Sequence, residues 1–350
     1  MLVLSDDLTG ALEVGAKFAQ AGVSAEVRTK SPEVLPSAEI LVIDTETRHK
    51  PAHEAREAVR RLAQKLKAPV IYKKTDSTLR GNIGAELQGL ADVFPETPIL
   101  YSPAYPRMGR TVRGGKLFVD GLPVEQTAFV HDILNPVRDG DAVNLLAPHL
   151  EDRVLLLDAA SLGSMRERGI HVLNAETDDH LAIAAQFFAA RKRPILAAGS
   201  AGLAGELARA LRFRPSPPPT VPGPKRAILV QGSLHERSMA QARYGDLHGW
   251  RVLRAPDAGH HPLEAALRFG ETVQHLLLDR DINVLVIFGG DTAYGIIQAM
   301  EHIPLYPVTE IVPGVPASVI RGDLILITKA GGFGPVDVLD RVRDWLLRLG

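Results

Sequence analysis

Residues 214–225 read RPSPPPTVPGPK and hold six prolines. Proline lacks a backbone N–H and fixes φ, so neither a helix nor an inner strand runs through such a stretch. The composition predicts a stiff, extended linker. It divides the 350 residues into segments of about 1–213 and 226–350, in keeping with a prior of roughly 150 residues per domain.

The same alternation recurs on both sides of the prolines. Before them, MLVL reads as a short buried strand and LTGALEVGAKFAQAG as a helix. AEVRT and ILVIDTE read as strands. PAHEAREAVRRLAQKLK is an amphipathic helix opened by proline, where the missing N–H costs nothing. PVIYKKT, NIGAELQGLADVF and PILYSPA continue as strand, helix, strand. RVLLLD, IHVLNA and PILAAGS are further strands, with helix DDHLAIAAQFFAAR between the last two. Residues 105–150 are less regular, and GGKLFVDGLPV predicts a hairpin there. After the prolines come RAILVQGS, a helix from about 236, WRVLRA, a helix at about 262–280, NVLVIFGGDT, another helix, EIVPGV, LILITKAGGFG and a last helix. The expected fold class is α/β in two domains, each a largely parallel sheet flanked by helices. No repeat of solenoid length is present.

In such sheets ligands sit beyond the carboxyl ends of the strands. In the first segment those ends are SDDLTG (5–10), DTETRH (44–49), KKTDSTLRGN (73–82), SPAYPRMGR (102–110) and AGSAG (198–202). Arg48, Lys74 and Arg80 suit an anion, since a guanidinium fork matches a carboxylate. Asp7, Asp76, Ser77 and Thr78 suit hydroxyl groups. Together they point to a small polyhydroxy acid. Simpler roles stand beside this reading: helix capping for Asp6, Asp7 and Thr9, capping for TDST, and a surface ion pair for Arg48. His49 and His53 read as exposed residues at a helix start. No His/Asp/Glu cluster has metal-ligand spacing, so no protein-held metal cage is expected.

The second segment ends its strands in glycine turns: QGSLH (231–235), FGGDTAYG (288–295), VPGVPAS (312–318) and TKAGGFGP (328–335). Glycine lets backbone amides approach a phosphate, and a helix N-terminus favours negative charge. Lys329 offers a point charge. Tight-turn geometry alone explains any one of these turns, but their recurrence points to a nucleotide or polyphosphate. Neither G-x-x-x-x-G-K-[ST] nor an early G-x-G-x-x-G occurs. A hydroxy acid in one domain and phosphates in the other suggest phosphoryl transfer, in which positioning and charge neutralisation do most of the catalysis.

Forty basic and 41 acidic residues leave a net charge of -1, which gives no electrostatic case for nucleic acid or an anionic membrane. The chain has no cysteine, which excludes disulfides, thiolate catalysis and Cys-ligated metals. No apolar run approaches the ~18–20 residues of a membrane helix. MLVLSDDLTG lacks the basic start of a signal peptide. The expected location is the cytoplasm.

SDDLTGA, KKTDSTLRGNIGAEL, SPAYPRMGRTVRGGKLFVDGLPV, AGSAGLA, VQGSLHERSMAQ, FGGDTA and TKAGGFG together resemble the four-carbon acid sugar kinase family, which includes D-threonate, D-erythronate, L-threonate and 3-oxo-tetronate kinases. The resemblance runs in order over nearly the whole chain. It implies an acid-sugar domain at 1–213 and a nucleotide domain at 226–350. It further implies ATP as phosphate donor, with Mg2+ following from ATP chemistry. By position, the acid-sugar site would include Asp7, Arg48, Lys74, Asp76, Ser77, Arg80 and Asn82. The ATP site would include Ser233, Gly289, Gly290, Asp291, Thr292 and Gly332. Asp7 and Asp76 are the candidate proton acceptors, with Asp7 favoured because its turn opens a helix. Two departures stand out: Glu13 where relatives commonly carry Asp, and Ala330 where Ser is common. A non-catalytic sugar-acid sensor and a hydroxy-acid dehydrogenase are the competing readings. The expected partners are the small acid and ATP, and homo-oligomerisation stays open.

Overall fold

Apolar runs of four to eight residues form the strands, and the amphipathic stretches between them form helices. The computed structural model describes residues 1–33, 36–132, 134–150, 154–165, 168–192, 194–256, 262–279 and 281–349. In chain order the elements are β1 (Leu2–Ser5), α1 (Leu8–Gln20), β2 (Ala25–Arg28), β3 (Ile40–Asp44), α2 (Ala52–Leu66), β4 (Val70–Lys74), α3 (Ile83–Val93) and β5 (Ile99–Ser102). There follow β6 (Arg110–Arg113), β7 (Lys116–Val119), β8 (Leu122–Pro123), α4 (Ala142–Leu150), β9 (Val154–Asp158), β10 (Ile170–Asn174), α5 (Asp178–Ala189), β11 (Ile195–Gly199) and α6 (Ala201–Ala210). After the prolines come β12 (Arg226–Gln231), α7 (Glu236–Leu247), β13 (Val252–Arg254), α8 (Pro262–Leu276), β14 (Ile282–Phe288), α9 (Gly290–Ala299), β15 (Leu305–Val312), β16 (Val315–Ile320), β17 (Leu324–Lys329) and α10 (Val338–Leu347). Residues 153 and 280, at the ends of two expected elements, lie outside the described residues.

Contacts divide the chain into two units: Met1–Val14 with Ile40–Arg214, and Gly15–Glu39 with Pro215–Gly350. The break near 214 falls at the prolines. Residues 15–39, which the sequence reading placed in the first domain, group with the second unit, and the division falls within α1. In unit 1 the sheet runs β3-β1-β4-β11-β5-β10-β9 with every pair parallel. β1, β3, β4, β5 and β11 are buried along their whole length, as expected when helices cover both faces. α2 turns Ala55, Val59 and Ala63 inward at the spacing of one helix face. The predicted hairpin is present: β6, β7 and β8 form a small antiparallel sheet, and Asp120 and Gly121 take positive φ between β7 and β8.

In unit 2, β13, β12, β14 and β17 are parallel in that order, and Leu229, Val286, Phe288, Ile327, Leu339 and Val342 belong to one core cluster. The expectation of strand–turn–helix order throughout fails here. β15 and β16 form an antiparallel hairpin, β16 also runs antiparallel to β17, and β2 joins the outer side of β15 antiparallel. The VPGVPAS glycine is therefore not a turn into a helix: Gly314, at φ +78°, closes the β15–β16 hairpin. Among the described residues no helix is long and apolar enough to cross a membrane.

Candidate functional site

In unit 1 the carboxyl ends of β1, β3 and β4 lie side by side, because Ser5 stands in register with Asp44 on one neighbour and Lys74 on the other. The turns that carry most of the candidate residues are thus brought together. Arg48 is the hub. Its Nε donates to Asp6 Oδ2 and its Nη1 to Asp7 Oδ2, each at 2.8 Å, and its Nη2 lies 3.7 Å from Asp76 Oδ1. Burial alone would depress the guanidinium, but Asp6, Asp7 and Asp76 outweigh it and hold Arg48 well above its usual value. Burial would likewise raise the Asp6 carboxyl. Arg48, Lys73 and Lys74 overcome that and keep it low.

Asp76 anchors the following turn. Its Oδ2 accepts from the Thr78 amide at 2.9 Å, from the Thr78 hydroxyl, and from Arg80 Nε at 3.1 Å, while its Oδ1 accepts from Arg80 Nη2 at 2.8 Å. Burial works against this carboxylate, but Arg80 and Arg48 hold it well below the usual range. Arg80 also reaches Asp132 Oδ2 at 3.1 Å and stacks over Phe129 at 5.3 Å. Leu79, between them, is buried with φ +66°, a left-handed conformation that costs a branched residue free energy. Ser77 is buried in the same turn. Asn82 ties this turn to the neighbouring one: its Nδ2 donates to the carbonyls of Thr47 at 2.8 Å and Lys50 at 2.7 Å.

Lys74 Nζ donates to the Thr75 carbonyl at 2.9 Å. A Cβ built at Gly10 would stand 2.5 Å from Lys74 Nζ and 2.6 Å from Asp7 Oδ1. Only glycine at residue 10 lets the ammonium and the carboxylate pack against the start of α1 together. Asp7 also caps α1, accepting from the Gly10 amide at 3.0 Å.

Three buried acids near these turns escaped the sequence reading. The sequence offers Asp6 only as a cap. Glu86 pairs with Lys73 at 3.0 Å, both side chains fully buried, and accepts from the Thr47 hydroxyl. Burial pushes Glu86 up, with Lys73 opposing. The third, Asp44, ends β3. Its Oδ1 accepts from the Glu46 amide at 3.0 Å, but its buried Oδ2 has no hydrogen-bond partner. Burial, opposed by the Glu46 amide and reinforced by Asp7 and Asp6, pushes its carboxyl up to about 7. The folded chain thus binds a proton there that the unfolded chain has released. That contribution is complete below the ordinary carboxylate value of ~3.9 and is lost as pH rises through the folded value. Asp44→Asn should raise the melting temperature more at pH 8 than at pH 5. An equal shift at both pH values would exclude the protonated form.

In unit 2 the turns after β12, β14 and β17 are neighbours, since Gln231 stands in register with Phe288 and Phe288 with Lys329. The amides of Gly232 and Ser233 both donate to the Phe288 carbonyl at 3.0 Å, and the Gly289 amide donates to the Lys329 carbonyl at 3.0 Å. Gly289 has φ +123°, and a Cβ there would stand 3.1 Å from Ser233 N and 3.2 Å from Thr292 Oγ1. Only glycine suits both constraints. Gly290 opens α9 with Asp291 in its first turn, and no side chain caps that helix. Its first amides and dipole are those of an anion-binding end. A Cβ at Gly331 would meet His235 Cβ at 2.8 Å and Ser233 Oγ at 3.2 Å, and one at Gly332 would lie 3.4 Å from His235 Nε2. Ser233, Gly289, Gly290, Asp291, Thr292 and Gly332 are thus assembled around three adjacent strand ends.

Lys329 is placed differently from the expected point charge. It is 1% exposed and donates to Ser238 Oγ at 2.9 Å and to the carbonyls of Ala330 at 2.9 Å and Gly331 at 3.1 Å. Three donors meet three acceptors, so the ammonium serves the loop that follows it. Burial, with Arg237 adding to it, pushes Lys329 down to about 7. His235, Ser238 and Gln241 also escaped the sequence reading; their only signal is polarity at the start of α7.

A family model described as a sugar-binding N-terminal domain matches residues 1–207, and one described as a nucleotide-binding C-terminal domain matches residues 257–339. The chain is 28% identical over 389 residues to a D-threonate kinase of Bordetella bronchiseptica, covering 97% of this chain and 95% of the relative. It is 26% identical over 422 residues to a 3-oxo-tetronate kinase of Methylobacterium radiotolerans, covering 98% of each. A solved structure from Haemophilus influenzae superposes with a TM-score of 0.74 at 19% identity over 99% of this chain and 100% of that one, which shows a shared fold.

Proposed function

Since the chain belongs to the four-carbon acid sugar kinase family, we propose that it transfers the γ-phosphate of ATP to a hydroxyl of a four-carbon acid sugar. The acid is bound by residues 1–213 and the nucleotide by residues 226–350. The observation that carries this reading is the convergence of Asp7, Arg48 and Asp76 at adjacent strand ends, with Lys74 Nζ and Asp7 Oδ1 both packed against Gly10. An ammonium suits the carboxylate of the acid, and an adjacent carboxylate suits a hydroxyl. Arg48 holds Asp7, Arg80 holds Asp76 in the next turn, and both add positive potential. Asn82 fixes one turn against the other, and Ser77 lies beside the bound carbinols.

Phosphates seated beside Ser233, Gly289, Gly290, Thr292 and Gly332 would meet the first amides and the dipole of α9, while the amides of Ser233 and Gly289 hold the turns in shape. Among the described residues no group of three or more His, Cys, Asp or Glu is placed to hold a metal. Magnesium keeps several waters and binds through one or two carboxylates plus phosphates, and Asp291 supplies a carboxylate of that kind. An ion there would neutralise charge on the phosphates. In the transfer the sugar oxygen forms a bond to the γ-phosphorus, the bond to the β-phosphate oxygen breaks, and ADP leaves. The hydroxyl proton passes to Asp7.

Release of ADP, followed through a coupled assay with threonates, erythronates and their oxo forms, tests the reading. Turnover with at least one acid and none without acid is expected. Absence of turnover across the panel would overturn the proposal. In a separate measurement, Asp291→Ala should abolish turnover while calorimetry still detects acid binding; near-normal kcat would remove Asp291 from the phosphate site.

A further inference from the structure

The loop after β17 is fixed in an unusual way. Every carbonyl from Ala330 to Pro335 except that of Gly332 is gripped by a side chain. Lys329 Nζ takes Ala330 O and Gly331 O, and Ser238 Oγ takes Gly331 O again at 2.9 Å. Gln241 Nε2 approaches the carbonyls of Phe333 at 3.1 Å, Gly334 at 3.1 Å and Pro335 at 2.7 Å. Ser238 and Gln241 are themselves fully buried on α7. By contrast, the amides of Gly331, Gly332 and Gly334 donate to no protein acceptor among the described residues.

We infer that Lys329, Ser238 and Gln241 are positioning residues for the nucleotide phosphates: they draw the carbonyls of loop 330–335 toward α7 and leave its glycine amides for the anion. Carbonyl oxygens repel phosphate and amides attract it, so a loop whose carbonyls are held aside is already shaped for binding. Lys329 is well suited to the task because its three donors are all consumed inside the protein. The inference rests on the placing of the nucleotide proposed above.

The test is calorimetric titration of the full chain with ATP in magnesium buffer, and separately with the four-carbon acids. Ser238→Ala and Gln241→Met should each raise the Kd for ATP about tenfold or more, a difference of ~1.4 kcal/mol. Ser238→Thr restores the hydroxyl and should bind ATP nearly as the parent does. Affinity for the acid should stay unchanged in all three. Folded Ser238→Ala and Gln241→Met proteins with parental ATP affinity would overturn the inference, and so would equal weakening toward ATP and acid, which marks general loosening. A parent chain that binds the acid but no ATP would remove the nucleotide site itself.

Discussion

Arg48→Met should destabilise unit 1 by ~3–5 kcal/mol at pH 7, the cost of leaving buried charges without their partner. That is a large share of a total stability of ~5–15 kcal/mol. Arg48 is 10% exposed and Asp6 1%, so water cannot replace the guanidinium. Asp76 keeps Arg80, but Asp6 and Asp7 lose their direct hydrogen bonds from Arg48. The sign of the pH dependence follows from the depressed carboxyls of Asp6 and Asp76. In the parent their contribution is present above the unfolded value of ~3.9 and is lost as pH falls through the folded value. Without Arg48 that contribution shrinks, so the gap between parent and variant should be widest near neutrality and narrow toward pH 4. Urea unfolding across this range measures it. A variant that unfolds like the parent at pH 7 would mean that the hub has no energetic weight.

The strand ends were legible in the sequence because chemistry and secondary structure coincide there. An apolar run that stops at Asp44 or Lys74 announces a parallel strand, and the polar turn after it announces a ligand. The glycine turns at 232, 289 and 331–332 were legible for the same reason. The hairpin of β15 and β16 was not, because the surrounding strand–helix rhythm made Pro313-Gly314 look like another strand end. Nor could residues 15–39 be assigned to the second unit, since the pairing of β2 with β15 joins Val27 to Leu305 across a long stretch of sequence. Partner choice was hidden as well. Lys73 and Lys74 are adjacent and chemically equal, yet Lys73 is spent on Glu86 while Lys74 packs against Gly10. Strand alternation places neighbours on opposite faces, but only the packed structure tells which face carries the ligand. Lys329 teaches the same lesson, because a lysine beside glycines reads as a phosphate ligand until its three acceptors are seen.

Asp7→Asn should fold, bind ATP and lose kcat by about 10²–10⁴-fold, the range of a positioned general base. Asp7 and Asp76 are the two candidates: each Asp7 oxygen accepts one hydrogen bond, from the Gly10 amide and from Arg48, and Asp76 accepts more. Asp76 has both oxygens held by Arg80, Oδ2 also accepts from Thr78, and its carboxyl lies well below the usual range. An oxygen so fully engaged has little capacity to take a proton. Asp7 is the more exposed, at 16% against 9%. Its Oδ1 lies against Gly10 beside Lys74 Nζ, at the start of α1. Asparagine keeps an oxygen to cap the helix but cannot accept a proton in that role, so binding and catalysis should part. The KM for ATP should hold while kcat falls, and the rate of Gly10→Ala should fall with a raised KM for the acid, since its methyl group would stand 2.5 Å from Lys74 Nζ and 2.6 Å from Asp7 Oδ1 and displace them. Asp76→Asn is the control for the choice of base. If Asp7→Asn keeps most of its rate and Asp76→Asn loses it, the proton goes to Asp76, and the Arg80 pair must open during turnover.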